Sequence, residues 1–234
     1  MRLHRMLVLG TVVLFGLAVW AQSTSRLSTT TPSSRHSSSA PSQKPAADSG
    51  IDAGSVVNGA YRNKGLGLTY KIPAGWVLRT EEMNAREDAD SAGAKNSDSP
   101  QGARRGTGES RVLLAAFSRP PEATGEDVNA SVVIAAESVE AYPGLKEAAQ
   151  YFGPLTEVAT AQGFTVDEEP YEAEVGGKKL VQGDFHKDVG TRVMRQSTLA
   201  WLARGYAVSI TVIGGTEDEV EGLIDGVNFE SKGK

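Results

Sequence analysis

Asp184, His186 and Asp188 occupy alternate positions of the segment Gly183-Asp184-Phe185-His186-Lys187-Asp188. Residues two apart on a strand point the same way, so an extended conformation sets two carboxylates and an imidazole on one face. A divalent metal accepts both ligand types, and an imidazole can also serve acid–base chemistry. The outer pair is separated by about 13 Å of strand rise, too far to close on one ion without another segment. Arg192 and Arg195, on the next expected strand, offer cross-strand ion pairing as the simpler use of Asp184 and Asp188. The chain has three histidines; His4 falls in an apolar leader and His36 in a polar linker, so a catalytic imidazole would have to be His186.

Other constellations are weaker. Glu168 with Glu169, or Glu137 with Glu140, could serve glycoside chemistry, but solvated surface acids are the expected reading. Trp76, Trp201, Tyr206 and Tyr151 could line a cleft, although large aromatics more readily fill a core. Asn129-Ala130-Ser131 matches the N-glycosylation pattern. Nucleophile-elbow, zinc-protease and P-loop motifs do not occur in the sequence. Zero cysteines exclude a disulfide scaffold, a zinc ribbon, a thiol nucleophile and a lipid-modified N-terminal cysteine. No catalytic or cofactor-binding residue is assigned, and no cofactor is expected.

The elements that would position these residues begin after a leader. Arg2 and Arg5 precede an apolar stretch, Met6 to Trp20, followed by Ala21 and a polar run. That order is the pattern of a secretory signal cleaved between Ala21 and Gln22. A permanent bilayer span takes about 20 apolar residues, more than this stretch supplies. Cleavage removes two of the 24 basic residues against 29 acidic ones, taking the formal charge from −5 to −7. Such a chain has no electrostatic case for nucleic acid or, once the signal is gone, for an anionic membrane surface. Gln22 to Gly50 is dominated by Ser, Thr and Pro and cannot bury enough apolar surface to offset the entropy of ordering. A disordered linker is therefore expected over 22–58 and a single domain over 59–234.

Within that domain, Leu66, Leu68, Tyr70 and Ile72 alternate with Gly67, Thr69 and Lys71, as in a half-buried strand that Asn63-Lys64-Gly65 turns back to one near Tyr61. Residues 85–110 have no large apolar residue and are expected to form a flexible surface insertion, with Arg104 and Arg105 solvated in it. Val112–Phe117 and Ser131–Ala136 have the length of buried strands. Leu145, Ala148, Ala149, Phe152, Leu155 and Ala159 recur at helical spacing, with a kink or break expected near Gly153 because Pro154 removes a donor. Strands at Phe164–Asp167, Tyr171–Val175, Lys178–Lys187, Arg192–Ala203 and Tyr206–Ile213 follow, the last four joined as a meander by turns at Gly176-Gly177, Val189-Gly190 and Arg204-Gly205. Thr216-Glu217-Asp218-Glu219 is a capping box opening a last helix that buries Val220, Leu223 and Ile224. The sum is α+β: an antiparallel sheet with helices packed on it.

The segments Gly67 to Trp76 (GLTYKIPAGW) and Leu202 to Phe229 resemble the PsbP-like superfamily, which includes secreted bacterial proteins of unknown function. The resemblance covers the chain from about Tyr61 onward and implies an α-β-α sandwich with mostly non-enzymatic binding or assembly roles. It places Trp76 and Phe229 in the core and carries no functional residue across.

The expectation is a secreted or periplasmic non-enzymatic accessory module docking on an envelope or extracellular protein. The alternatives are a metal-dependent or His-assisted enzyme centred on Asp184, His186 and Asp188, and a surface structural protein anchored by an uncleaved N-terminal helix. Mass spectrometry of the exported chain is expected to find Gln22 at the N-terminus; a chain retaining Met6–Ala21 would establish the anchor instead.

Overall fold

Ser131–Ser138 and Tyr206–Gly214 carry long runs of small and β-branched residues, and such runs must be covered on both faces. Arg192–Ala203 is buried through its middle, from Gln196 to Trp201. The computed structural model of the chain describes residues 50–94 and 110–230. The leader with Ala21 and Gln22, most of the linker, and Arg104 and Arg105 lie outside the described residues. In chain order the elements are β1 (Ser55–Val57), β2 (Ala60–Asn63), β3 (Leu68–Lys71), β4 (Val77–Leu78), α1 (Thr80–Ala94), β5 (Ser110–Phe117), β6 (Ser131–Ser138), α2 (Ala148–Ala161), β7 (Thr165–Val166), β8 (Tyr171–Val175), β9 (Lys178–Val189), β10 (Arg192–Ala203), β11 (Tyr206–Gly214), α3 (Glu217–Ile224) and β12 (Val227–Phe229).

The strands form two antiparallel sheets. The long one runs β4-β5-β6-β11-β10-β9, with β7 and β8 sharing the outer edge of β9, and the small one runs β1-β2-β3-β12. With three helices packed on the sheets, the fold is α+β, and β8 to β11 make the meander expected from the turn residues. Gly176-Gly177 and Arg204-Gly205 all have positive φ, which matches hairpin turns to strand twist.

Alternation divides the long sheet into two unlike faces. Val132, Ile134, Leu199, Trp201, Val208, Ile210 and Val212 pack with Leu68 and Tyr70 of the small sheet, Val220 and Leu223 of α3, and Phe229. Trp201 and Phe229 meet edge to face with ring centroids 5.3 Å apart. The opposite face receives α2, through Tyr151, Phe152 and Leu155 against Ala200 and Ala207, and α1, through Met83 against Val112 and Ala115. A Cβ at Gly183 would stand 2.5 Å from Phe152 Cε1, so the glycine lets α2 lie close on β9. Pro154 does not break α2, which runs from Ala148 to Ala161. Four buried side chains outweigh the hydrogen bond the proline withholds.

Two boundaries differ from expectation. The folded chain begins before residue 59: Ile51 is in the core, β1 pairs with β2, and Asn63 Nδ2 donates to the Asp52 carbonyl at 2.6 Å. The turn responsible is Asn58-Gly59, both with positive φ. Residues 85–94, expected in a flexible insertion, belong to α1. This helix needs no broad apolar stripe because polar side chains dock it on the sheet edge. Asn84 accepts from the Val112 N–H and donates to its carbonyl, both at 2.9 Å, and Thr80 Oγ1 accepts from the Ala115 N–H at 2.9 Å.

Asn84→Ala is expected to lower stability by about 1–3 kcal/mol, because it strands two backbone groups of β5. Gly222→Ala, on the open side of α3, is expected to raise it by about 0.5–1 kcal/mol. Urea unfolding of the two variants measures both.

Candidate functional site

The structure does not bring Asp184, His186 and Asp188 together on one ligand. Asp184 accepts from the Tyr171 hydroxyl at 2.8 Å and from Gln182 Nε2 at 3.1 Å. His186 Nδ1 contacts Asp167 Oδ1, on the chain leaving β7, and Asp188 is exposed near the hairpin tip. The expected arginine pairing is also replaced: Arg195 Nη1 reaches Glu217 Oε1 of α3 at 3.0 Å, and His186 is its cross-strand neighbour. Among the described residues no group of three or more His, Asp or Glu is placed to hold a metal ion.

The other sequence candidates also separate. Trp201 and Tyr151 are buried on opposite faces of the long sheet, so the four aromatics share no cleft. Glu168, Glu169 and Glu140 are exposed. The Asn129 amide is engaged within the fold, accepting from Ser118 Oγ at 3.0 Å and donating to the Arg119 carbonyl at 3.0 Å.

Chemistry gathers instead where α1 and α2 cover the long sheet. A groove there offers about 140 Å³ to the centre of a water molecule. Its floor follows from strand register: Ser131, Val133, Ala135 and Glu137 of β6 stand beside Ile213, Thr211 and Ser209 of β11, with Gln196 of β10 beyond Ile213. Met83 and Glu87 of α1 form one wall, and Leu155 of α2 with Gln162 at its C-cap the other. Gln196, Ser131, Thr211 and Ser209 are only 5, 6, 6 and 7% exposed. Thr211 and Thr198 hydroxyls lie 3.1 Å apart, and Gln196 Nε2 donates to Thr198 Oγ1 at 3.4 Å. The Ser131 and Ser209 hydroxyls have no hydrogen-bond partner among the described residues.

Glu137, expected at the surface, lies at one end of this floor and is 8% exposed. Its Oε1 accepts from the Tyr151 hydroxyl at 2.7 Å, and its Oε2 accepts from the Tyr142 hydroxyl. The two rings meet edge to face at 5.3 Å. Burial pushes the Glu137 carboxyl above the ordinary range, while the two phenols oppose that rise. Glu87 is pushed up to about 7, first by burial and then by the charges of Glu137 and Asp88. No ion pair among the described residues involves Glu87 or Glu137.

These features define an α+β scaffold with a half-polar groove under two helices. No protein-family model matches the chain, and neither does any curated protein. Among solved structures it is similar to PA94 of Pseudomonas aeruginosa, a protein of unknown function, at 17% identity and a TM-score of 0.31, covering 53% of this chain and 78% of that one. It is also similar to LpqN, involved in cell envelope biogenesis of Mycobacterium tuberculosis, at 12% identity and a TM-score of 0.36, covering 70% of this chain and 83% of that one. Both likenesses are too distant to carry a function across. Among the described residues no helix is long and apolar enough to cross a membrane.

A carboxyl whose pKa is higher folded than unfolded binds more protons in the native state, so stability falls as pH rises from the ordinary value of 4.5 to the folded one. For Glu87 that window closes at about 7. Glu87→Gln is therefore expected to raise the Tm by about 2–4 °C at pH 8 and to leave it unchanged at pH 4, as thermal melts at the two pH values would show.

Proposed function

We propose that this chain is an exported, non-enzymatic binding module of PsbP-like fold, accessory to an envelope or extracellular protein, with the groove between α1 and α2 as its working surface. The observation that carries this reading is the groove's floor. Antiparallel sheet faces covered by helices are ordinarily apolar, yet this one buries Ser131, Gln196, Ser209 and Thr211. The Ser131 and Ser209 hydroxyls line the groove with hydrogen-bonding capacity that no side chain among the described residues takes up, and a molecule seated there can use it. Export is supported by Arg2 and Arg5 before the apolar Met6–Trp20 stretch.

The test is uptake of small fragments by the full chain, followed by ligand-observed NMR. Ser209→Leu, which fills the floor, is expected to abolish uptake while shifting the Tm by less than about 4 °C. A chain that takes up no fragment, or fragments that bind Ser209→Leu as tightly as the parent, would overturn the groove as the working surface.

A further inference from the structure

We propose that the groove takes a compact primary amine, its ammonium held by Glu87 and Glu137 and its apolar body seated against Met83, Val133 and Leu155. The inference rests on the groove being the binding surface and adds the chemical class of what it binds.

Size sets the first limit. An apolar cavity of about 150 Å³ accepts a benzene ring, so 140 Å³ admits one ring or a short aliphatic body with a small polar arm. Charge sets the second. Glu82, Glu87, Glu122 and Glu137 line the groove against Arg79 and Arg86. Arg79 is committed to Glu82 at 3.3 Å and Glu122 at 3.1 Å. Glu87 and Glu137, on facing elements, have no such cation among the described residues.

Hydrogen-bonding capacity sets the third limit. Each Glu137 oxygen already accepts one phenol, yet a carboxylate has about four acceptor sites, so room remains for a further donor. An ammonium brings three donors. Two can go to the carboxylates and the third to the Ser209 hydroxyl, which lines the groove without a partner among the described residues. A hard metal ion fits less well, because it demands six or more oxygens close together and no group of three or more acidic or histidine side chains among the described residues is placed to hold one. An anion would meet two desolvated acids. The charged and titratable neighbours of the pair are Asp88 and Arg86 on α1 and Tyr142 and Tyr151 against Glu137. Burial holds both carboxyls toward their neutral forms, so an arriving ammonium is expected to displace protons as it binds.

The test titrates the full chain at pH 7.5 with 2-phenylethylamine, 2-phenylethanol and phenylacetate, which share a ring and differ in the head group. The amine is expected to bind at least tenfold more tightly than the alcohol, with phenylacetate weakest. Glu87→Gln and Glu137→Gln, each checked for folding by circular dichroism, are expected to reduce the amine to the affinity of the alcohol. Equal binding of amine and alcohol, or wild-type amine affinity in both variants, would overturn the proposal. If Ser209→Leu still blocks the alcohol in that case, the groove stands and only the amine falls. If none of the three binds while other fragments are blocked by Ser209→Leu, the amine again falls alone; if no fragment binds at all, both readings fall.

Discussion

The pairing of β6 with β11 governs the rest of the molecule. These two strands sit in the middle of the long sheet, and both of their faces are covered. On one side Val132, Ile134, Val208, Ile210 and Val212 form a dry layer that the small sheet and α3 must close, which is why the chain after α3 returns through β12 to pair with β3. On the other side the alternate residues are mixed, and two helices span them without filling the space between. The apolar face supplies cohesion, and the half-polar face is left for something other than packing.

Much of this architecture is legible in the sequence because local chemistry and tertiary demand agree. Gly176-Gly177 and Arg204-Gly205 announce turns that strand twist requires, and the resulting meander follows. Thr216 caps α3 as expected, accepting from the Glu219 N–H at 3.1 Å, although Glu219 reaches the Gly215 N–H rather than that of Thr216. What escapes is structure held by polar groups. α1 beyond Ala85 has a loop-like composition because its anchor is Asn84 on a backbone edge, a contact that leaves no hydrophobic period. Asn58-Gly59 carried a turn signal that the Ser/Thr/Pro-rich run before it obscured.

The candidate site was harder to read than the fold. Ser131, Val133, Ala135 and Glu137 alternate with Val132, Ile134 and Ala136, a pattern identical to that of a strand with one face in water. Sequence does not tell a face wetted by bulk solvent from one enclosed in a groove. Nor does it place Tyr142 and Tyr151 over Glu137, since one precedes α2 and the other lies within it. Conversely, Asp184, His186 and Asp188 share a strand face by i, i+2 spacing, but Tyr171 of β8 engages Asp184, Asp167 just after β7 engages His186, and Asp188 stands exposed.

The way α1 meets β5 reaches beyond one domain. An eight-stranded antiparallel sheet invites a neighbouring chain to add another strand wherever its outermost backbone is bare. Here one margin carries the two-residue β4 and, past it, the side chains of Thr80 and Asn84 occupying the groups a new strand would seek. The other margin is shared between the short β7 and β8. Side-chain amides and hydroxyls thus take the place of a missing strand at one limit of the long sheet, and only short strands stand at the other.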